Sequence, residues 1–277
     1  MKQMNWTFCR KNATLEAETS LEGSVGMDTE TIFAAGASDL RLRDIDIRRA
    51  QAVDGGTSLR RAWMTMRDDN ITTLCVTDGD GRLEGLITLK DISTANLDGL
   101  DNYVLSESGT SYRNVVDTLD GAVLAGDPEG RSVEGRIVIG AGSAEQMERA
   151  IHRGDIVVVS NRSEGQLTAV EMEAGCLVVC TGVQVSRIIL RVAREKGCLV
   201  VSTPHNVYAT GQIISQAAPV RYYMLREGLT VFRLDTPVAE AVATVRDMRH
   251  RYFPVLDEDG RYFGVVSHRN LLNSRKP

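Results

Sequence analysis

Histidine is scarce in this sequence, and so is anything resembling a catalytic cluster. The 277 residues include four histidines, His152, His205, His250 and His268. None belongs to a His-x-Asp-x-Asp or Asp-His-His group able to hold two metal ions. No substrate-positioning constellation accompanies His250, so no catalytic residue is assigned. Long apolar runs are also missing. Nothing approaches the ~20 residues that cross a bilayer. The N-terminus lacks a signal-peptide pattern, and a cytoplasmic protein without a membrane partner is expected. Basic residues are dispersed and the net charge is −5, which does not favour nucleic acid as a partner. The five cysteines lack disulfide-like spacing. Cys176 and Cys180 lie in one apolar run, where residues four apart on a strand share a face. Reduced, buried thiols are expected there, and no metal site.

What the sequence does contain is a repeat. Residues 57–92 match residues 236–271 at a constant offset of 179, with 11 identities in 36 positions. Both copies close on Gly–apolar–apolar–Ser/Thr–x–x–Asp/Asn: Gly85-Leu86-Ile87-Thr88-Leu89-Lys90-Asp91 and Gly264-Val265-Val266-Ser267-His268-Arg269-Asn270. A hydroxyl and a carboxylate or amide kept at fixed spacing in a repeat suggest two small-molecule sites rather than one catalytic centre.

Each copy reads as helix, strand, turn, strand, helix. Leu59, Ala62, Trp63 and Met66 recur at helical spacing, with Thr57 as N-cap. Leu74–Val76 and Leu83–Thr88 read as a hairpin around Asp78-Gly-Asp-Gly81. In the second copy Pro237 is expected at the first helical position.

Between the copies, apolar runs at Arg136–Ile139, Asp155–Val159, Cys176–Cys180 and Cys198–Ser202 read as strands buried on both faces. Helical stretches at Ala144–Ile151, Val185–Glu195 and Tyr208–Ala217 alternate with them, which implies an inserted α/β domain. Ile137-Val-Ile-Gly-Ala-Gly-Ser-Ala-Glu145 opens like a dinucleotide-binding turn. Glu145 in the third small position would oppose pyrophosphate, and no acid follows at the required distance, so turn glycines explain it better. The fold class is α/β: an α+β pair of repeats plus an inserted α/β domain. Four segments follow: a disordered or frayed lead-in at 1–40, with a short helix possible at 29–35; a first repeat domain at 41–100; the insert at 101–222; and a second repeat domain at 223–277.

The repeats resemble CBS domains through the full Gly–x–x–Thr/Ser–x–x–Asp/Asn signature and through Tyr252-Phe-Pro-Val255, where the first copy has Cys75 in place of proline. The insert resembles a DRTGG domain through Gly154-Asp155, Asn161-Arg162, Thr181-Gly182 and Thr203-Pro-His205, with Asn161 and Val183 departing from the namesake motif. The order CBS–DRTGG–CBS is similar to the regulatory insert of family II (manganese-dependent) inorganic pyrophosphatases, without their DHH catalytic part.

The resemblance implies an adenine-nucleotide-sensing module that binds AMP or ADP, with ATP and diadenosine polyphosphates as further candidates. It implies no bound cofactor, a homodimer, and a pyrophosphatase catalytic domain as partner. In the first site Asp91 would accept ribose hydroxyls, Thr88 would donate to phosphate at a helix start, and Leu86 and Ile87 would flank adenine, with Thr72 and Thr73 nearby. In the second site Ser267 and Asn270 take those places, with Arg249, Arg251 and Arg269 toward phosphate and His250 and Tyr252 against the nucleotide, Tyr252 stacking or bonding phosphate. The competing expectation is a nucleotide-independent dimerisation scaffold, in which Thr88 and Ser267 are helix caps and nothing more.

Overall fold

The computed structural model describes residues 40–97, 101–248 and 251–273. The expected lead-in, apart from Leu40, lies outside them, as do Arg249 and His250. The chain forms two compact units. Among the described residues, one contains those up to Val53, Thr73–Leu86 and those from Leu225 onward. The other contains Asp54–Thr72 and Ile87–Met224.

In the first unit, strands Tyr252–Leu256 and Tyr262–Ser267 pair antiparallel, and Phe232–Arg233 runs parallel to Val255 and Leu256. Helix Val238–Val245 covers one face, burying Val238, Ala241, Val242 and Val245 at i, i+3, i+4 and i+7. The alternation of Tyr252–Leu256 turns Phe253 and Val255 toward that helix, where they join Leu42, Phe232, Val266 and Leu271 in one core. Pro254 is tolerated in a central strand because no ladder bond needs its missing N–H. Its antiparallel partner Val265 directs both backbone groups away, to Arg48, and Phe232–Arg233 reaches only Val255 and Leu256. Pro237 is the N-cap of the helix, with φ −60° and ψ 134°, one residue before the expected place. An extended ψ leaves it outside the first turn.

The repeated Asp-x-Asp-Gly-Arg is turn chemistry. Asp78 Oδ1 accepts from the backbone N–H of Asp80 and Arg82 at 3.0 and 2.8 Å. Asp257 Oδ1 accepts from Asp259 and Arg261 at the same distances. Gly81 and Gly260 take φ +77° and +79°, the left-handed region that glycine enters without penalty. The two turns also meet, with Tyr262 N–H donating to the Gly81 carbonyl at 2.9 Å. Behind them Cys75, Leu83 and Leu86 of the first repeat share a core with Leu256 and Val265 of the second.

Each repeat's outer strand is bonded by the segment that precedes the other repeat. Leu86 and Leu225 exchange backbone hydrogen bonds at 3.0 and 2.8 Å, and Arg48 and Val265 do so at 3.0 and 2.9 Å. Cys75 stands at the place of Pro254 and is buried against Tyr262, whose hydroxyl donates to the Ala50 carbonyl. Burial pushes the Cys75 thiol up to about 12, which keeps it protonated and unreactive.

In the second unit a five-stranded sheet has the order Ala122–Ala125, Leu199–Ser202, Cys176–Val179, Ile156–Val159, Ile137–Ile139. The last four run parallel and the first is antiparallel. Ile156–Val159 and Cys176–Val179 are buried throughout, and Leu199–Ser202 in all but Ser202, as continuous apolar runs require. Ile137–Ile139 was expected to be buried on both faces but is an edge strand, with Ile139 44% exposed.

Helix Ser163–Glu171 escaped the sequence reading because small and polar residues, Gly165, Gln166 and Thr168, fill part of its buried face. Helix Leu59–Asp68 is capped by Ser58, not Thr57: Ser58 Oγ accepts from Arg61 N–H, while Thr57 N–H bonds the Asp54 carbonyl. In the glycine-rich turn, a Cβ on Gly140 would come within 2.8 Å of Met147 and Val159, so close packing explains that glycine. Cys176, Cys180 and Cys198 are buried and unpaired, as expected. No described helix is long and apolar enough to cross a membrane.

Candidate functional site

Both signatures begin a helix. In the first repeat, strand Leu83–Thr88 leads directly into helix Leu89–Leu97. Asp91 Oδ2 accepts from Thr88 N–H at 2.8 Å and from Thr88 Oγ1 at 2.7 Å, and Asp91 N–H donates back to Thr88 Oγ1 at 3.3 Å. The spacing is fixed by helix geometry: a hydroxyl at the cap meets the residue three further on. Thr88 was expected to offer its proton to phosphate. In this structure that proton goes to Asp91, so the pair must rearrange before Thr88 donates to a ligand. Thr72 faces the same turn through its carbonyl, which accepts from Leu89 N–H at 2.9 Å. Ile87 is fully buried and Leu86 nearly so. Thr73 opens the strand Thr73–Thr77, half-buried.

The second repeat repeats the cap with different atoms. Ser267 Oγ donates to Asn270 Oδ1 at 2.9 Å and accepts from Asn270 N–H at 3.0 Å. Asn270 Nδ2 adds a bond the first repeat lacks the donor for, to the Asp46 carbonyl at 3.1 Å. Around this cap lies a cavity of about 760 Å³, within the range of small-molecule sites. It brings together Ser267, Asn270, Arg251, Tyr252 and Arg269, all expected there, and it adds Asp46, Arg48 and His268. His268 N–H donates to the Arg251 carbonyl at 3.0 Å, and its Nε2 is buried without a hydrogen-bond partner among the described residues. Three guanidinium groups against one carboxylate give the lining a surplus of positive charge, suited to an anion.

Asp46 and Arg48 were missed because they stand outside the signature. The signal was present in the alternation Ile45-Asp46-Ile47-Arg48, which reads as a strand with its apolar side inward. Ile45 and Ile47 pack on the Phe253 core and the charged residues face the cavity. Gly264 is what lets this segment approach. A Cβ there would lie 2.7 Å from the Arg48 carbonyl oxygen and 3.0 Å from Ile47 Cγ2. Gly264→Ala is expected to cost about 1–3 kcal/mol through overpacking. Urea unfolding of both chains checks this. An unchanged midpoint would mean that the segment is free to move aside.

The DRTGG-like residues of the insert act on the backbone. Asp155 is buried, and its carboxylate accepts from Arg136 N–H at 3.0 Å and His152 N–H at 2.8 Å. Thr181 and Gly182 both take positive φ, and their N–H groups bond the carbonyls of His205 and Thr203.

Comparison with known proteins agrees with this architecture. The CBS domain family model matches residues 42–98 and 220–276, and the DRTGG domain model matches 114–217. The cobalt-dependent inorganic pyrophosphatase of Clostridium perfringens is 29% identical over 237 residues, 86% of this chain and 43% of that protein. The probable manganese-dependent inorganic pyrophosphatase of Thermotoga maritima is 24% identical over 231 residues, 83% of this chain and 42% of that one. The chain therefore spans less than half the length of these relatives. Among solved structures, the CBS and DRTGG domains of the regulatory region of the Clostridium perfringens pyrophosphatase, complexed with the activator diadenosine tetraphosphate, match with a TM-score of 0.78 and 29% identity. That match covers 82% of this chain and 99% of the other.

Proposed function

This chain carries a pair of CBS domains with a DRTGG domain between them, and from that premise we propose that it is the adenine-nucleotide-sensing regulatory module of an inorganic pyrophosphatase. The observation that carries the proposal is the cavity of the second repeat, where a hydroxyl, an amide, an aromatic ring and three arginines converge. The similar CBS and DRTGG domains of the Clostridium perfringens pyrophosphatase bind diadenosine tetraphosphate as an activator. AMP, ADP, ATP and diadenosine polyphosphates share the chemistry such a lining recognises: an anionic phosphate, a vicinal diol and a flat base.

Residues 41–100 and 223–277 form the nucleotide-binding pair and 101–222 the DRTGG-type domain in this proposal. Thr72, Thr73, Leu86, Ile87, Thr88 and Asp91 serve the first site. Ser267, Asn270, Arg251 and Tyr252 serve the second, together with Arg249 and His250 from outside the described residues. The module acts as a homodimer in the cytoplasm, on a catalytic domain of the manganese-dependent class. Nucleotide biases the CBS pair toward one arrangement, and a coupling of about 1–3 kcal/mol changes activity several-fold or more.

One observation favours a second reading, a nucleotide-independent scaffold. The caps Thr88–Asp91 and Ser267–Asn270 account for the signature with no ligand at all. Asp91→Ala separates the two readings. A sensor loses about tenfold in affinity at the first site, the value of one charge-assisted hydrogen bond, and keeps its association state. A scaffold shows no nucleotide heat before or after the substitution. Calorimetry with sedimentation measures both.

A further inference from the structure

The second signature lacks the charged acceptor of the first, and the cavity supplies one from elsewhere. Ribose offers two adjacent hydroxyl donors, which a carboxylate accepts better than a neutral group. Asn270 holds the signature position, but both of its side-chain polar atoms are engaged. Oδ1 takes the Ser267 hydroxyl proton, and Nδ2 is committed to the Asp46 carbonyl. A carboxylate at 270 could not make that second bond, having no proton to give. The exchange of Asp for Asn thus trades a ligand acceptor for an anchor, and the residue anchored is itself an aspartate.

Asp46 lines the cavity beside Asn270. Among the described residues no hydrogen bond or ion pair engages its carboxylate. Two constraints hold it in place, the Asn270 bond to its own carbonyl and the paired hydrogen bonds of Arg48 with Val265 two residues on. On an extended segment, positions 46 and 48 share a face, about 6–7 Å apart. Ile47 between them turns into the core.

We infer that Asp46 is the ribose-binding carboxylate of the second site, with Arg48 on the same face directed to the phosphate. The inference rests on the proposed nucleotide-binding function and names the residue that reads the sugar. The two sites then recognise ribose from different places: the first from its own helix, the second from the segment ahead of the first repeat.

The test uses the Asp91→Ala chain, in which the first site binds about tenfold more weakly and the second is unaltered, with Asp46→Ala and Asp46→Asn added separately. Each is titrated calorimetrically with AMP, 2′,3′-dideoxy-AMP and tripolyphosphate. The parent is expected to prefer AMP over the dideoxy nucleotide by about tenfold. Asp46→Ala removes that preference, Asp46→Asn keeps part of it, and neither weakens tripolyphosphate. The isosteric Asp46→Asn guards against misfolding, since it keeps the shape of the side chain, and both variants keep the backbone carbonyl that Asn270 bonds. If Asp46→Ala keeps the full preference for AMP, the inference is overturned and the functional proposal stands. If wild-type protein binds no nucleotide, the functional proposal fails and takes this inference with it.

Discussion

Alanine at both Arg251 and Arg269 is expected to weaken nucleotide binding at the second repeat by about a hundredfold. Both guanidinium groups line its cavity, and one carboxylate, that of Asp46, opposes three arginines there. A hydrogen bond to a charged group contributes about 1.5–3 kcal/mol. Both arginines are exposed, so solvent screening holds each to the low end, about tenfold apiece. The fold is expected to survive, because the anchor in this turn is the Arg251 carbonyl, which His268 N–H bonds and truncation leaves in place. Calorimetry at low and high salt reads the effect. Wild-type affinity should fall as salt rises and the double variant should respond less. A loss of less than about threefold, typical of a rim charge, would move the phosphate away from this cavity.

Phe253→Ala is expected to remove about 3–5 kcal/mol of stability. The ring is 1% exposed and tilts against Phe232, with centroids 5.8 Å apart. It fills the space between the strand and helix Val238–Val245, in one core with Leu42, Val242 and Val266. A domain's whole margin is about 5–15 kcal/mol, so such a loss lowers the melting temperature steeply. Its neighbour Tyr252 lies on the cavity side of the strand. Saturating nucleotide should therefore restore part of the lost melting temperature by binding only the folded state. Differential scanning calorimetry with and without AMP measures both effects. A cost below about 1 kcal/mol would mean that this core is loosely packed.

What could be read in the sequence follows from how local its causes are. The hairpin turns were legible because Asp-x-Asp-Gly-Arg carries its own explanation: one carboxylate bonding two N–H groups and one glycine at positive φ. The buried parallel strands were legible as apolar runs. Helix Ser163–Glu171 was not, because burying Gly165 and Gln166 breaks the apolar stripe that marks a helix. Strand Ala122–Ala125 was not, because it is short, antiparallel and half exposed, with no alternation to follow. The cap moved by one residue because Thr57 and Ser58 both carry a hydroxyl able to cap a helix, and the chain's path selects Ser58.

The site divides in the same way. The signature residues announce themselves by repetition. The alternation around Asp46 and Arg48 marks a strand, but these residues join the second site through the pairing of Arg48 with Val265 and the Asn270 bond to the Asp46 carbonyl, long-range contacts that the local pattern does not name. The caps show why the signature alone leaves its purpose open: the spacing that suits ribose and phosphate is also the spacing of a helix N-terminus.

The most direct test of the account is calorimetric titration of the whole chain with AMP and then with diadenosine tetraphosphate. The account predicts binding in the micromolar range, about −8 kcal/mol, reduced by Asp91→Ala at the first site and by Arg251→Ala with Arg269→Ala at the second. No heat from either ligand, in protein whose melting curve shows it folded, would contradict it and leave the repeated signature as a pair of helix caps in a dimerisation scaffold.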